Sequence, residues 1–422
     1  MTGGQSAGIL RLFGRVRDYD WGSPTAIYDL LGEDPSGRPA AELWLGTHPS
    51  APSEIEIETE TGGRRRPAEA AVGRLPFLLK VLAADKALSL QVHPDRAQAQ
   101  AGFDGEERAG VPPQAPHRRY RDRNHKPELI VALTPFRALA GIRDPQRTLC
   151  VVQSLGHPPL TAAFEPLWED PSAGAATVLR TLLTMPAHQV RGLVDGIVKA
   201  AGMIGPRAEP DVAAAADLVG QLAVAHPGDV GIAAALLLND VLLQPGEALF
   251  QPARLLHAYV HGVGIEIMAT SDNVLRGGLT SKHVDVDELL RVLDPTPTRA
   301  PVLAPRTVRG AAGITVRTWD VPVDDFVLAE AVCDETMPNR ADPRGNVHDG
   351  SVTVRRPAVL LVTDGTVMVE GMGVCATRLR RGQAAIVAPA PGAQGVSEAE
   401  GVLTLRGRGR VFLASPGSCA PS

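Results

Sequence analysis

The hydrophobic period of this chain changes twice. Up to about residue 145, short apolar runs alternate with Pro, Gly and Asp clusters, as in Leu75-Pro-Phe-Leu-Leu-Lys-Val-Leu82 and Leu129-Ile-Val-Ala-Leu133. That is the pattern of strands with irregular connections. Between about 146 and 240 the period becomes helical. Val190, Leu193, Val194, Ile197 and Val198 share one helix face, and Val212, Ala215, Ala216, Val219, Leu222 and Ala223 repeat the pattern. Asp229 is placed to cap a third helix over Ile232 to Leu238. From Leu242 the strand signal returns. Val359 to Val369 reads as a hairpin turning at Asp364-Gly365, followed by strands at Ala384–Ala388, Gly401–Leu405 and Val411–Ala414. The segment from Gly105 to Asn124, basic and Pro-bearing, reads as an exposed loop.

A β–α–β order of this kind predicts a mainly β protein with an inserted helical subdomain. The expected division is 1–145 plus 241–305 as one β domain, 146–240 as the helical part, and 306–422 as a second β domain. A barrel or sandwich suits the short, evenly spaced strands.

Composition narrows the function. The net charge of −5 and only 4% aromatic residues argue against a nucleic-acid partner. The apolar stretch Ile232–Leu238 is far too short to span a membrane, and no signal peptide is evident at the N-terminus. Four scattered cysteines without a C-x-x-C pair fit a reducing compartment, so a cytoplasmic location is expected. Of 42 basic residues only five are lysines: Lys80, Lys86, Lys126, Lys199 and Lys282. In a chain that uses Arg so heavily, each lysine is a candidate for a role that a guanidinium cannot fill.

Four clusters can carry chemistry. In Leu88-Ser-Leu-Gln-Val-His-Pro-Asp95, Gln91 and His93 are two apart, so in a strand both face one side and can offer donors to one metal ion. The same string also suits a turn opening at His93-Pro94. In Tyr120 to Glu128, a polar run leads into an apolar strand, and His125, Lys126 and Glu128 can handle protons or complete a metal shell. A solvated loop would look similar. His257 follows a strand–Pro turn and is a plausible further ligand. Arg276 lies beside two glycines, with Asp272 before it and Lys282 after it, which suits an anionic substrate. No Walker A loop, G-x-S-x-G elbow or H-E-x-x-H helix is present. Gly371 to Ala376 matches the loose dinucleotide fingerprint but sits among strands, so it is set aside.

Taken together, the strings YDWGS (Tyr19–Ser23), AELWLGTHPSAPS (Ala41–Ser53), LPFLLKVLAADKALSLQVHPD (Leu75–Asp95), NHKPE (Asn124–Glu128), PGEALFQPARLLHAY (Pro245–Tyr259) and GIEIMATSDNVLRGGLTSKHVD (Gly264–Asp285) resemble type I mannose-6-phosphate isomerases. The match runs in order over roughly residues 9–300. The resemblance implies cupin-type β-barrels in a double-cupin-like arrangement. It also implies one zinc ion per chain and a cytoplasmic aldose–ketose isomerase of carbohydrate metabolism, with a place in GDP-mannose biosynthesis. It places zinc ligands on Gln91, His93, Glu128 and His257. The catalytic arginine falls on Arg276. Proton-handling groups fall on His125, Lys126, Glu266 and Asp272, and substrate-binding groups on Lys80, Ser89 and Lys282. The expected partner is a small sugar phosphate, with no nucleic acid and no membrane, and the chain is expected to be a monomer.

The chemistry implied moves a proton between C1 and C2 through an enediol whose oxyanion charge needs stabilisation. A lysine can act as base only if burial or a nearby cation lowers its pKa. Two alternatives share the pattern: another metal-dependent cupin enzyme, such as an iron oxygenase with two His and one carboxylate, and a non-catalytic sugar-phosphate-binding cupin.

Overall fold

In the computed structural model, the described residues are 8–59, 62–311, 313–334, 350–371, 374–388 and 397–417. The period-two segments form two antiparallel sheets, each of eleven strands among the described residues. No helix among them is long and apolar enough to cross a membrane.

The first sheet builds the site. It runs from Val302–Leu303 through Ala248–Gln251, Glu128–Ala132, His257–Ala269, Phe77–Ala84 and Glu42–Leu45 to Arg15–Arg17. Phe77–Ala84 is buried at every position, which explains why its sequence is apolar without alternation. The long strand His257–Ala269 changes partners along its length. Its second half pairs with Phe77–Ala84 and Glu128–Ala132, while its first half pairs with Phe136–Ile142 and Gln91. The change occurs at a register shift between Tyr259 and His261. Gly262, with φ of 127°, follows at once, and a Cβ there would lie 2.8 Å from Phe136. A bulge plus a glycine is how a sheet turns the corner that closes a barrel.

The helical segment contains seven helices from Pro145–Leu155 to Gly231–Ala235, packed on one core. Leu193, Val194 and Ile197 are buried, as are Val212, Ala215, Val219 and Leu222. The third helix is shorter than the sequence suggests. It covers only Gly231–Ala235, because Leu238 already belongs to the strand Leu238–Leu243 that pairs with Phe136–Ile142. The N-cap position is Val230 rather than Asp229, which lies just before it and accepts from the Gly231 amide. Asp229 also accepts from the amides of Leu279 and Thr280, tying the helical part to a distant loop.

The second sheet mixes the two ends of the chain. Ile9–Phe13 pairs with Ala384–Val387 on one side and with Glu54–Thr59 on the other. A shared core therefore contains Leu12, Ile55, Phe77 and Ile265 together with Trp319, Phe326, Leu361, Ile386 and Phe412.

Three local expectations need correction. Val359 to Val369 is not a hairpin but lies within one strand, Ala358–Gly371, paired along its length with Ser397–Ser415. The register shifts between Val362 and Asp364, and Gly365 (φ 70°) follows directly, supplying beside the bulge the backbone it would supply at a turn. The segments Gly401–Leu405 and Val411–Ala414 likewise belong to that single partner strand. Residues 105–124 are not a free loop. Gly105 to Arg108 finish the helix Arg96–Arg108, and Arg118 and Tyr120 are buried. Arg118 donates to the Tyr120 and Val111 carbonyls and pairs with Glu107, while Glu106 accepts from the Arg119 and Tyr120 amides. Of the apparent dinucleotide fingerprint, Met372 and Gly373 lie outside the described residues, and Val374–Arg380 after them is a strand.

Candidate metal centre and active-site cleft

Strand register brings the ligand candidates into one row. Gln91 pairs with His257 on one side and with Arg276 on the other, so these three side chains share a face. His93 follows Gln91 by two and shares that face as well. Glu128 opens the strand Glu128–Ala132 and stands between the two imidazoles. Its Oε1 is 3.4 Å from His93 Nε2, and its Oε2 is 3.4 Å from His257 Nε2. The ligand atoms of His93, Glu128 and His257 lie within 4.8 Å of one another, and all three residues are buried.

The rings are held from behind. His93 Nδ1 is 2.7 Å from the Asn273 carbonyl and His257 Nδ1 is 2.9 Å from the Leu255 carbonyl. Each Nδ1 therefore carries the proton and each Nε2 presents its lone pair, the arrangement of metal-bound histidines. His93 Nε2 is buried and makes no hydrogen bond. Burial, with the Lys126 and His257 charges behind it, lowers His93 to about 4, so the ring is neutral near pH 7. Burial alone would raise the Glu128 carboxyl, but Lys126 and the two imidazoles outweigh it and hold the group ionised. Gln91 Nε2 donates to Ser89 Oγ at 3.2 Å, which leaves the Gln91 amide oxygen free as a donor atom. Two imidazole nitrogens, a carboxylate and an amide oxygen fit zinc.

The centre opens into a cleft of about 730 Å³. Of the other expected site residues, Lys80, Ser89, Lys126, Glu266, Asp272, Arg276 and Lys282 line it. So does Lys86, which places four of the five lysines there. Lys126 Nζ is 3.3 Å from Glu128 Oε1. Lys80 Nζ is 2.7 Å from Glu266 and 3.4 Å from Glu42. Burial disfavours its charge, yet the carboxylates of Glu266, Glu42 and Glu128 raise its pKa well above the usual value. Lys80 is thus a fixed cation and not a base. One ammonium shared by two carboxylates leaves negative charge over. Glu266 is accordingly raised, first by burial and then by Glu128 and Glu42.

Arg276 and Lys282 differ from these paired groups. Neither side chain makes an ion pair or side-chain hydrogen bond among the described residues; the Lys282 amide alone donates to the Thr280 hydroxyl. Burial and the Arg121 charge lower Arg276, and the Arg276 charge with burial lowers Lys282. Two cations that repel each other in a cleft form a receptor for an anion. Asp272 is exposed at the cleft, 3.5 Å from His48 Nε2, and its amide donates to Asp122.

His125 is the exception. It does not line the cleft, and its Nε2 is 2.7 Å from Asp325 Oδ2.

Glu42, Trp44 and Tyr259 were not singled out from sequence, yet all three line the cleft. Trp44 Nε1 donates to Glu42 Oε2 at 2.7 Å, and the Tyr259 hydroxyl lies 2.8 Å from Glu266 Oε1. A signal existed for two of them. Tyr259 follows His257 by two in a strand, and Glu42 is a lone carboxylate inside an apolar run. From the helical part, Ala225 and His226 also reach the wall, and nothing in their own segment marks them.

Residues 9–145 match the family described as phosphomannose isomerase type I, catalytic domain. Mannose-6-phosphate isomerase from Escherichia coli (strain K12) is 37% identical over 334 residues, covering 76% of this chain and 82% of that protein. The Rattus norvegicus mannose-6-phosphate isomerase is 30% identical over 390 residues, covering 83% and 86%. Among solved structures, a mutant phosphomannose isomerase from Salmonella typhimurium superposes with a TM-score of 0.80 at 29% identity, covering 98% of this chain and 100% of that one. A zinc-bound mannose 6-phosphate isomerase gives 0.79 at 30% identity, covering 98% and 100%.

Proposed function

This chain belongs to the type I phosphomannose isomerases, and from that premise we propose how its cleft performs the reaction. The protein is a zinc-dependent aldose–ketose isomerase interconverting mannose 6-phosphate and fructose 6-phosphate. The observation that carries the reading is the convergence of His93 and His257 on Glu128, beside two cations that lack counter-charges.

Gln91, His93, Glu128 and His257 would hold the zinc, which there would supply Lewis-acid polarisation to the sugar. Lys282 takes the phosphate and orients the sugar. Arg276, in register with Gln91, adds positive charge where the oxyanion of the enediol develops. Asp272, an exposed carboxylate on the cleft, accepts the carbon-bound proton and returns it to the neighbouring carbon. Lys126, beside Glu128, serves the proton exchange between the two oxygens. Glu266 and Tyr259 keep Lys80 in place and set the charge of the floor.

The test is a coupled assay for mannose 6-phosphate with and without chelator, together with metal analysis of protein purified without added metal. Activity lost to chelator and restored by zinc is expected. Zinc-loaded protein without turnover would overturn the reading, and iron in place of zinc would favour an oxygenase. For the base, Asp272→Asn should abolish exchange of the substrate C2 hydrogen with solvent. Exchange at the unsubstituted rate would place the base elsewhere.

We also propose a monomer located in the cytoplasm, checked by sedimentation and by fractionation. The working division remains 1–145 plus 241–305, 146–240 and 306–422, with the strands Ile9–Phe13, Glu54–Thr59 and Gly62–Pro67 lent to the C-terminal sheet.

A further inference from the structure

No described residue of the C-terminal β region lines the cleft, yet one of its carboxylates, Asp325, reaches the segment that carries Lys126 and Glu128. Asp325 lies in the turn between the strands Ile314–Thr318 and Val327–Asp334. Its neighbour Phe326 is fully buried in the core shared by both ends of the chain, which fixes the turn. Asp325 is itself only 4% exposed. Its Oδ2 is 2.7 Å from His125 Nε2, and its Oδ1 is 3.3 Å from Arg96 Nη2. Arg96 Nη2 also lies 2.8 Å from the same ring nitrogen. Asp325 accepts from Arg96 and lies within hydrogen-bond distance of the same ring nitrogen of His125.

The two partners stand at matched places. Arg96 follows the ligand His93 by three residues, and His125 precedes the ligand Glu128 by three, with Lys126 between. Asp325 therefore pins together two separate segments, each carrying a metal ligand, and one of them also carrying a proton-handling lysine.

We propose that Asp325 is a positioning residue for the isomerase reaction and that His125 acts through it. The carboxylate holds the His93 and Glu128 segments at the spacing the metal needs and aims Lys126 into the cleft. The C-terminal β region contributes to turnover through this contact. The inference rests on the isomerase reading above.

The experiment uses the full-length, zinc-loaded chain and the variants Asp325→Ala, His125→Ala and the double variant. Readouts are kcat and KM for mannose 6-phosphate, the rate of zinc loss to a chelator, and Tm. Asp325→Ala should lower kcat and speed zinc loss by about tenfold or more, in the range seen when the groups behind metal ligands are removed. KM should change little, because Arg276 and Lys282 are held by other elements. The double variant should be no worse than the poorer single one, since both break one tie. Losses that multiply in the double variant would overturn the proposal, as would variants within about twofold of the parent in kcat and zinc retention. If Asp325→Ala does not fold, Asp325→Asn, of the same shape, decides by the same two readouts. Failure of the isomerase reading would appear in the unsubstituted protein as zinc without turnover. Failure of this inference would leave that protein active and the variants equal to it.

Discussion

The cleft separates cations that are spoken for from cations that are free. Lys80 is locked between Glu266 and Glu42, whereas Arg276 has no partner of opposite charge among the described side chains. Arg276→Ala should therefore lower kcat by about 10²–10³-fold, the usual size for losing one preorganised oxyanion donor, with zinc content unchanged. Steady-state kinetics and metal analysis on one preparation check both parts. His257→Ala should lose zinc and activity together, because Glu128 then faces a single imidazole. Lys126→Arg keeps the charge beside Glu128 but not a group that gives up a proton, so turnover should fall by about tenfold or more with zinc retained. Full activity would make this lysine a simple charge. At this scale much was legible. Spacing marked Gln91 and His93 as a possible pair and left Glu128 and His257 as separate candidates; the resemblance to type I mannose-6-phosphate isomerases joined the four, and the structure brings His93, Glu128 and His257 together. Sequence alone does not say which of the neighbours His125 and Lys126 lines the cleft; in the structure it is Lys126.

Between elements, ties made by single side chains decide the geometry. The segment after the helix Arg96–Arg108 is fastened to the helix Val286–Val292 by the Tyr120 hydroxyl on Glu288, with Arg291 and Arg119 alongside. Burial alone would raise Glu288, but Arg291 and the Tyr120 hydroxyl outweigh it and hold it below the usual carboxylate value. A carboxylate depressed in the folded state stabilises fully above its unfolded pKa and loses that contribution as pH falls through the folded value. Glu288→Gln should cost about 1–2 kcal/mol at neutral pH. The gap in Tm between parent and variant should shrink as pH drops below about 4. Thermal melts of both proteins across that range test it, and a gap that widened in acid would reverse the assignment. Two long helices of the insertion, Ala187–Ala201 and Pro210–Ala225, were legible from their 3.6-residue stripes. The folded-down segment around Tyr120 was not, because its anchor lies more than a hundred residues away and its own composition is that of an exposed loop.

For the whole molecule, the decisive fact is that both ends of the chain share a sheet and a core. Removing 306–422 would uncover Leu12, Ile55 and Phe77 and strip Ile9–Phe13 of its partner Ala384–Val387. Each fully buried large side chain contributes about 1.5–3 kcal/mol, and a handful of them equals the entire net stability of a typical domain, about 5–15 kcal/mol. The fragment 1–305 should therefore lack a cooperative melt and bind a hydrophobic dye, whereas the full chain should melt as a folded protein. The β–α–β order was readable from periodicity, but the exchange of strands between its first and last parts was not, since a strand's sequence records its burial and not its partner. The distribution of lysines has a practical consequence at the same scale. Four of the five line the cleft, and the fifth, Lys199, is exposed on the helix Ala187–Ala201. A general amine-acylating reagent is for this protein close to an active-site label, with Lys199 as its internal control. Mannose 6-phosphate should shield Lys126 and Lys282 from acylation and leave Lys199 untouched, so peptide mapping can chart substrate occupancy without any turnover.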